Sequence, residues 1–439
     1  MAHINPFKQL TDWTRRSIAV GVLLFFKSYR YDIRIWQALV LYWPILIIAW
    51  SLLKVVDYSR FKGESRQLFS KGEVAVLVLV LFVGSALTAA AHLTSHLAFK
   101  HINLDEDFDV FDIIGDNYEF AAHIEANVVP GQIVEIHNIY GSLEVESGEH
   151  DRIVINVDKT VRAKSREEAE RLEPEMYFTI TDQGDSYVIE SNRDDLRSSL
   201  RRRFKTSLTI SVPTKSSLNV NNKYGPVRIA GLTGDQEVEN RYGGTTIRAI
   251  NGNVYLENGY GPIVTENVSG NVRIVNKHGS VHVSGIVGDA RIDNKHSLVR
   301  VENVGGKVQI EGSNNSVDLE DVKGLVKVES SYKDIIVRNV TGRIDLANRH
   351  GNIRLLFEVP PRNDISLIGD YTDIQIDMPL ASSFSLDAQT CSGSFDSNFE
   401  EINLKSSGGA QGVTGKFGEG GPHIMIRTSQ GDICLIEKG

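Results

Sequence analysis

Seven aromatic residues fall on one interval. Tyr224, Tyr242, Tyr260, His278, His296, Tyr332 and His350 are separated by 18 residues or a multiple of 18, with Asn314 in the same register. Basic residues precede several of them: Lys223, Arg241, Lys277, Lys295 and Arg349. Aromatic rings beside cations suit two chemistries, stacking on sugars and gripping an anionic polymer. The competing explanation is structural. Each ring stacks on its copy in the next repeat and steadies a turn, and since a stacked aromatic pair contributes roughly 0.5–1.5 kcal/mol by itself, the pattern does not require a ligand. His278 and His296 are neighbours in such a stack, but no carboxylate or cysteine column completes a metal site.

Other ionisable groups are weaker candidates. Glu302, Glu320 and Asp321 fall on adjacent repeats, as the close carboxylates of a polysaccharide-cleaving enzyme would. No arginine or histidine partner for them is identifiable in the sequence, and outward glutamates are ordinary on a repeat surface. The expectation is therefore a protein that is not an enzyme, with catalysis on polysaccharide as the remote alternative. Arg197, Arg201, Arg202 and Arg203 form a basic cluster that reads as a solvated loop, or else as a contact for lipid head groups or an acidic partner. Two cysteines, Cys391 and Cys434, supply neither a zinc cluster nor a disulfide framework, and no cofactor motif is present. A net charge of −9 argues against nucleic-acid binding.

The element that positions the aromatic column is a turn. It reads Asn222-Lys-Tyr-Gly225, Asn240-Arg-Tyr-Gly243, Asn258-Gly-Tyr-Gly261, Asn276-Lys-His-Gly279 and Asn294-Lys-His-Ser297, degenerates through 312–315 and 330–333, and returns as Asn348-Arg-His-Gly351. A second glycine sits midway in each unit, at Gly234, Gly252, Gly270, Gly288, Gly306, Gly324 and Gly342. Between the turns, apolar residues alternate at period two, as in a half-buried strand. One column is Val227, Thr245, Ile263, Val281, Val299, Val317, Ile335 and Ile353, and another is Val238, Leu256, Ile274, Ile292, Ile310, Val328 and Leu346. Columns at a fixed period mean that like residues stack coil upon coil. The predicted fold is mainly β, a single-stacked β-solenoid (β-helix) with 18-residue coils, preceded by an α-helical transmembrane segment. The stacked Asn side chains are expected to hydrogen-bond along their column, and glycine after the aromatic fits a turn position with φ > 0.

Residues 1–100 read as a membrane anchor. Apolar runs near 36–56 and 74–95 have the roughly 20-residue length of a spanning helix, and a shorter run near 18–31 is a third span or an interfacial helix. Lys8, Arg15, Arg16 and the basic loop between the firm spans, against Asp105, Glu106, Asp107, Asp109 and Asp112 after them, satisfy the positive-inside rule with three spans. Everything after residue 100 is then extracytoplasmic; with two spans the solenoid is cytoplasmic. Residues 101–220 read as a linker and irregular β region starting the solenoid, with a stray turn at Asn138-Ile-Tyr-Gly141. Residues 221–356 are the regular coils, and 357–439 are irregular coils and a cap.

These turns followed by alternating Val and Ile resemble the putative-adhesin family of β-solenoid domains of unknown function, clearly over 220–439 and loosely over 120–219. The runs SIAVGVLLFF and WPILIIAW resemble the membrane module of bacterial envelope-stress proteins. The resemblance implies a bacterial envelope protein and this fold, and carries no catalytic motif with it; with the three-span topology the expected location is the inner membrane with a periplasmic solenoid. The expected role is a scaffold or adhesin-like binding module, with envelope-stress signalling as the alternative. Expected partners are membrane lipid, further copies of the chain in a homo-oligomer, and an envelope polysaccharide or protein.

Overall fold

The computed structural model describes residues 115–438 except 139, 381, 400–404 and 408–409. The chain divides into two units, Met1–Glu106 and Asp107–Gly439, and described residues occur only in the second. The three apolar runs therefore lie outside the described residues. Among the described residues no helix is long and apolar enough to cross a membrane.

The 18-residue period becomes a two-strand coil. Val272–His278 runs in one sheet, the turn at Gly279 reverses direction, Val281–Ile286 returns in the other sheet, and Ala290–Asn294 begins the next coil. Each strand pairs in parallel with its copy one coil away: Val254 with Val272 with Ala290, and Ile263 with Val281 with Val299. Repetition builds sheets of 15 and 16 strands, whose inward faces close on one continuous core. Both columns quoted above are buried along their whole length.

A further core column escapes period-two reading. Leu232, Ile250, Val268, Ile286, Val304, Val322 and Val340 are all buried, although strict alternation places their predecessors inside. Those predecessors, Gly231, Ala249, Asn267, Gly285, Asn303, Asp321 and Asn339, adopt left-handed φ values between 52° and 76°. One left-handed residue shifts the alternation by a step, so the next side chain turns inward. Gly, Asn and Asp dominate the position because they tolerate that conformation best.

The ends depart from chain order, and within 115–220 the strands that start the solenoid have a definite pairing. Asn138-Ile-Tyr-Gly141 belongs to a coil in full register: Ile133–Asn138 pairs in parallel with Ser217–Tyr224, setting Asn138 against Asn222 across 84 residues of sequence. The intervening chain builds the coil beneath, with Ser186–Ser191 under Ile133–Asn138 and Phe204–Pro213 under Ser142–Gly148. Antiparallel strands then close this end: Arg152–Ala163 on Phe204–Pro213, Asp116–Asn127 on Arg152–Ala163, and Phe178–Asp182 on Ser186–Ser191. The other end repeats the device. The last strands, His423–Gln430 and Ile433–Lys438, insert between 365–379 and 384–397, and Ala410–Phe417 covers Phe384–Ser392 antiparallel. Phe384, Phe399 and Phe417 plug that end, with Phe384 and Phe417 stacked at 4.7 Å.

Asp377 fastens the inserted final strand. Its buried carboxylate accepts from Lys438 at 2.9 Å, Gln375 at 2.6 Å and Arg354 at 3.3 Å. Burial raises its pKa, but the hydrogen bonds from Lys438 and Gln375 and the Lys438 charge outweigh burial and hold it below the usual carboxylate value. A depressed folded-state pKa adds stability above the unfolded value of about 3.9 and loses it as pH falls through the folded one. Asp377→Asn is expected to lower stability at neutral pH by about 1–3 kcal/mol and to shrink the difference from wild type below pH 4, read by chemical denaturation across pH. A constant difference from pH 3 to pH 7 would refute the ionic role.

Candidate functional site

The aromatic corner is built by its asparagines. Each is buried, and in the regular turns its amide donates to the carbonyl of the residue closing the same turn: Asn222 to Gly225 at 3.0 Å, Asn258 to Gly261 at 3.0 Å and Asn276 to Gly279 at 2.8 Å, whereas Asn294 donates to His296 at 3.2 Å and Asn348 to Lys333 of the preceding coil at 2.9 Å. The expected ladder of Asn–Asn bonds exists only at the start, Asn138 to Asn222 at 2.8 Å and Asn222 to Asn240 at 2.9 Å. Farther along, the amides serve the turns, and the Oδ1 atoms of Asn258, Asn276 and Asn294 accept no hydrogen bond. With the turn closed, the third residue projects outward and the fourth, glycine at φ 128° to 144° in Gly225, Gly243, Gly261 and Gly279, packs directly on the coil below.

The projecting rings form a continuous stack. Centroid separations are 5.1 Å for Tyr224–Tyr242 and Tyr242–Tyr260, 4.8 Å for Tyr260–His278 and 4.9 Å for His278–His296, with planes within 12° of parallel. Tyr140 extends the stack at 6.1 Å, tilted by 50°. Beyond His296 the stack breaks. Gly312 replaces the asparagine there, and the Asn315 amide folds back into the vacated space, where a Cβ on Gly312 would meet it at 2.6 Å. Asn314 takes a left-handed φ of 56° and puts no ring on the corner. A second stack follows, Tyr332–His350–Tyr371 at 5.3 and 4.8 Å. Tyr140 and Tyr371 were legible as ring positions from their turns, 138–141 and 369–372, but lie outside the unbroken 18-residue register.

This geometry separates the two chemistries raised by the sequence. Each ring spends its faces on the rings above and below, so few faces are left for sugars. What points outward is the ring edge, with tyrosine hydroxyls and imidazole nitrogens, beside exposed Lys223, Arg241, Lys277 and Lys295. Lys223 and Arg241 lie 6.0 and 5.7 Å from their own tyrosine rings. Among the described residues none of these four cations has a carboxylate within ion-pair distance, whereas arginines on the strand faces do: Arg248–Glu266 at 2.8 Å, Arg291–Glu311 at 3.1 Å and Arg300–Asp318 at 3.1 Å. Arg349 differs from the other four, pairing with Asp370 at 3.2 Å.

Of the acidic candidates, Glu302 joins that paired surface. Glu302 and Glu320 are register partners on adjacent strands. Of the three, only Glu302 has an arginine within ion-pair distance among the described residues, Arg300 at 3.6 Å, and Arg300 also pairs with Asp318, which Arg338 shares. Asp321 holds a left-handed corner. Among the described residues no three His, Cys, Asp or Glu side chains gather as metal ligands, and Cys391 and Cys434 are both free.

A family model, Toastrack DUF4097, matches residues 135–435. Among solved structures, a putative adhesin from Bacteroides fragilis is 9% identical, covering 73% of this chain and 97% of its own, with a TM-score of 0.24. A putative cell adhesion protein from Clostridium sporogenes is 11% identical, covering 73% and 100%, with a TM-score of 0.19. A putative adhesin from Parabacteroides merdae is 14% identical, covering 58% and 95%, with a TM-score of 0.23. No curated protein matches the chain.

Proposed function

We propose, since the chain belongs to the Toastrack DUF4097 family, that it is a non-enzymatic binding module: a membrane-anchored, extracytoplasmic solenoid whose aromatic corner grips an acidic polysaccharide of the cell envelope. The observation that carries this reading is the column of Lys223, Arg241, Lys277 and Lys295, interrupted only at Gly259 and running along the corner without carboxylate partners among the described residues. Like charges one or two coils apart repel, and a polymer carrying negative charge along its length relieves that repulsion. Ring-edge hydroxyls and imidazoles beside the cations add hydrogen bonds.

Full-length protein in phosphatidylcholine nanodiscs is expected to be retained by polygalacturonate-coated beads and not by neutral dextran beads, with retention falling as salt rises. K223Q/R241Q/K277Q/K295Q should abolish retention while leaving the melting temperature in place. Equal retention of the variant would overturn the assignment.

Topology has its own test. Lys333 is exposed, as is Cys391, so Lys333→Cys is placed in a Cys391→Ser/Cys434→Ser background and probed in intact spheroplasts with a membrane-impermeant maleimide. Labelling is expected; protection would place the solenoid in the cytoplasm. Anchored copies meet with the same flank each time, so the homo-oligomer is proposed to use the flank of the rod and the spans. A monomeric mass in nanodiscs with no crosslinks in native membranes would remove it.

A further inference from the structure

Arg193 is an unusual cation. It lies in the short turn Asn192–Asp195 and is only 5% exposed. Its guanidinium donates to the carbonyls of Phe204 at 3.1 Å and Arg201 at 2.9 Å, and lies 4.7 Å from the centroid of the Tyr140 ring. Among the described residues no carboxylate is within ion-pair distance of it, and the nearby carboxylates are engaged elsewhere, Asp194 with Arg201 at 3.3 Å and Glu168 with Arg203 at 2.9 Å. Burying a charge without a counter-charge is costly. Beside it opens a cleft of about 410 Å³, walled by Asn117, Tyr140, Thr160, Arg162 and Lys205. Arg202 and Arg203 also border it, and among the described residues no carboxylate does. Arg162 and Lys205, like Arg193, form no ion pair with a described residue.

We propose that this cleft binds a phosphate-bearing ligand. Three convergent cations favour a phosphate over a singly charged carboxylate, and guanidinium forks match its oxygens. The space exceeds a bare phosphate and suits a phosphorylated sugar or polyol. Thr160 and Asn117 offer neutral hydrogen bonds to its hydroxyls, and the Tyr140 ring offers an apolar wall. The same chemistry is carried by a soluble sugar phosphate and by an anionic lipid head group. The site is separate from the four corner cations and stands without them.

The test uses full-length protein in nanodiscs. Glucose 1-phosphate is titrated calorimetrically into protein in phosphatidylcholine nanodiscs, and melting temperatures are compared between phosphatidylcholine and phosphatidylglycerol nanodiscs. Arg162 and Lys205 are not core residues, so R162Q/K205Q should fold with an unchanged melting temperature in phosphatidylcholine. Saturable binding of glucose 1-phosphate that weakens at least tenfold in the variant supports the proposal with a soluble ligand. A higher melting temperature in phosphatidylglycerol that the variant loses supports it with a lipid. If neither probe distinguishes wild type from R162Q/K205Q, the proposal is overturned.

Discussion

Ile274→Asp is expected to abolish cooperative unfolding of the central coils, while its neighbour Arg273→Asp leaves the melting temperature nearly unchanged. Ile274 is fully buried and stacks between Leu256 and Ile292 in adjacent coils. A carboxylate there meets only methyl groups, and burying it unpaired costs several kcal/mol on top of the roughly 2–5 kcal/mol for losing the isoleucine side chain. That sum rivals the total stability of a typical domain, about 5–15 kcal/mol. Because a solenoid is stabilised coil by coil, one broken coil also deprives both neighbours of their support. Arg273 faces solvent, 5.8 Å from the Tyr255 ring, and its loss costs at most about 1 kcal/mol. Circular dichroism melts and hydrogen exchange across 254–294 read the contrast. Similar melting of the two variants would refute the assignment of inward and outward faces.

Gly261→Ala is expected to rank next, lowering stability by about 3 kcal/mol or more, in the tail of single-site effects. Gly261 has φ 138°, and a Cβ built on it lies 2.2 Å from the carbonyl oxygen of Gly243 and 2.5 Å from its carbon. The obstacle is backbone, so no side chain can swing aside. The coils would have to separate at this corner, breaking the bond from the Gly243 amide to the Tyr260 carbonyl, 2.8 Å, and unstacking Tyr242 from Tyr260. Gly244→Ala is the control, since its added Cβ meets nothing closer than 3.4 Å. Denaturation midpoints of the two variants, with tyrosine fluorescence as a local probe, decide the matter. A Gly261→Ala protein as stable as the control would show that the coils are not packed this closely.

The regular coils were legible in the sequence because a solenoid turns sequence separation into spatial contact. Residues 18 apart are neighbours, so the period of Asn222, Asn240, Asn258 and Asn276 already states which residues touch. Alternating Val and Ile state which side is inside. Tertiary structure decided what has no period. Asn138 pairs with Asn222, and the last strand slips between earlier ones, because closing a stack depends on which edge finds a partner, and pairing across 84 residues leaves no repeat to read. The column from Leu232 to Val340 hides behind a backbone conformation that shifts the alternation by one step. The ring faces of the corner are consumed by one another, which only interplanar angles reveal. The basic cleft gathers Arg162, Arg193 and Lys205 from three segments outside the 18-residue repeat, and the lack of a described counter-charge beside them is a property of their surroundings, which residue types alone do not encode.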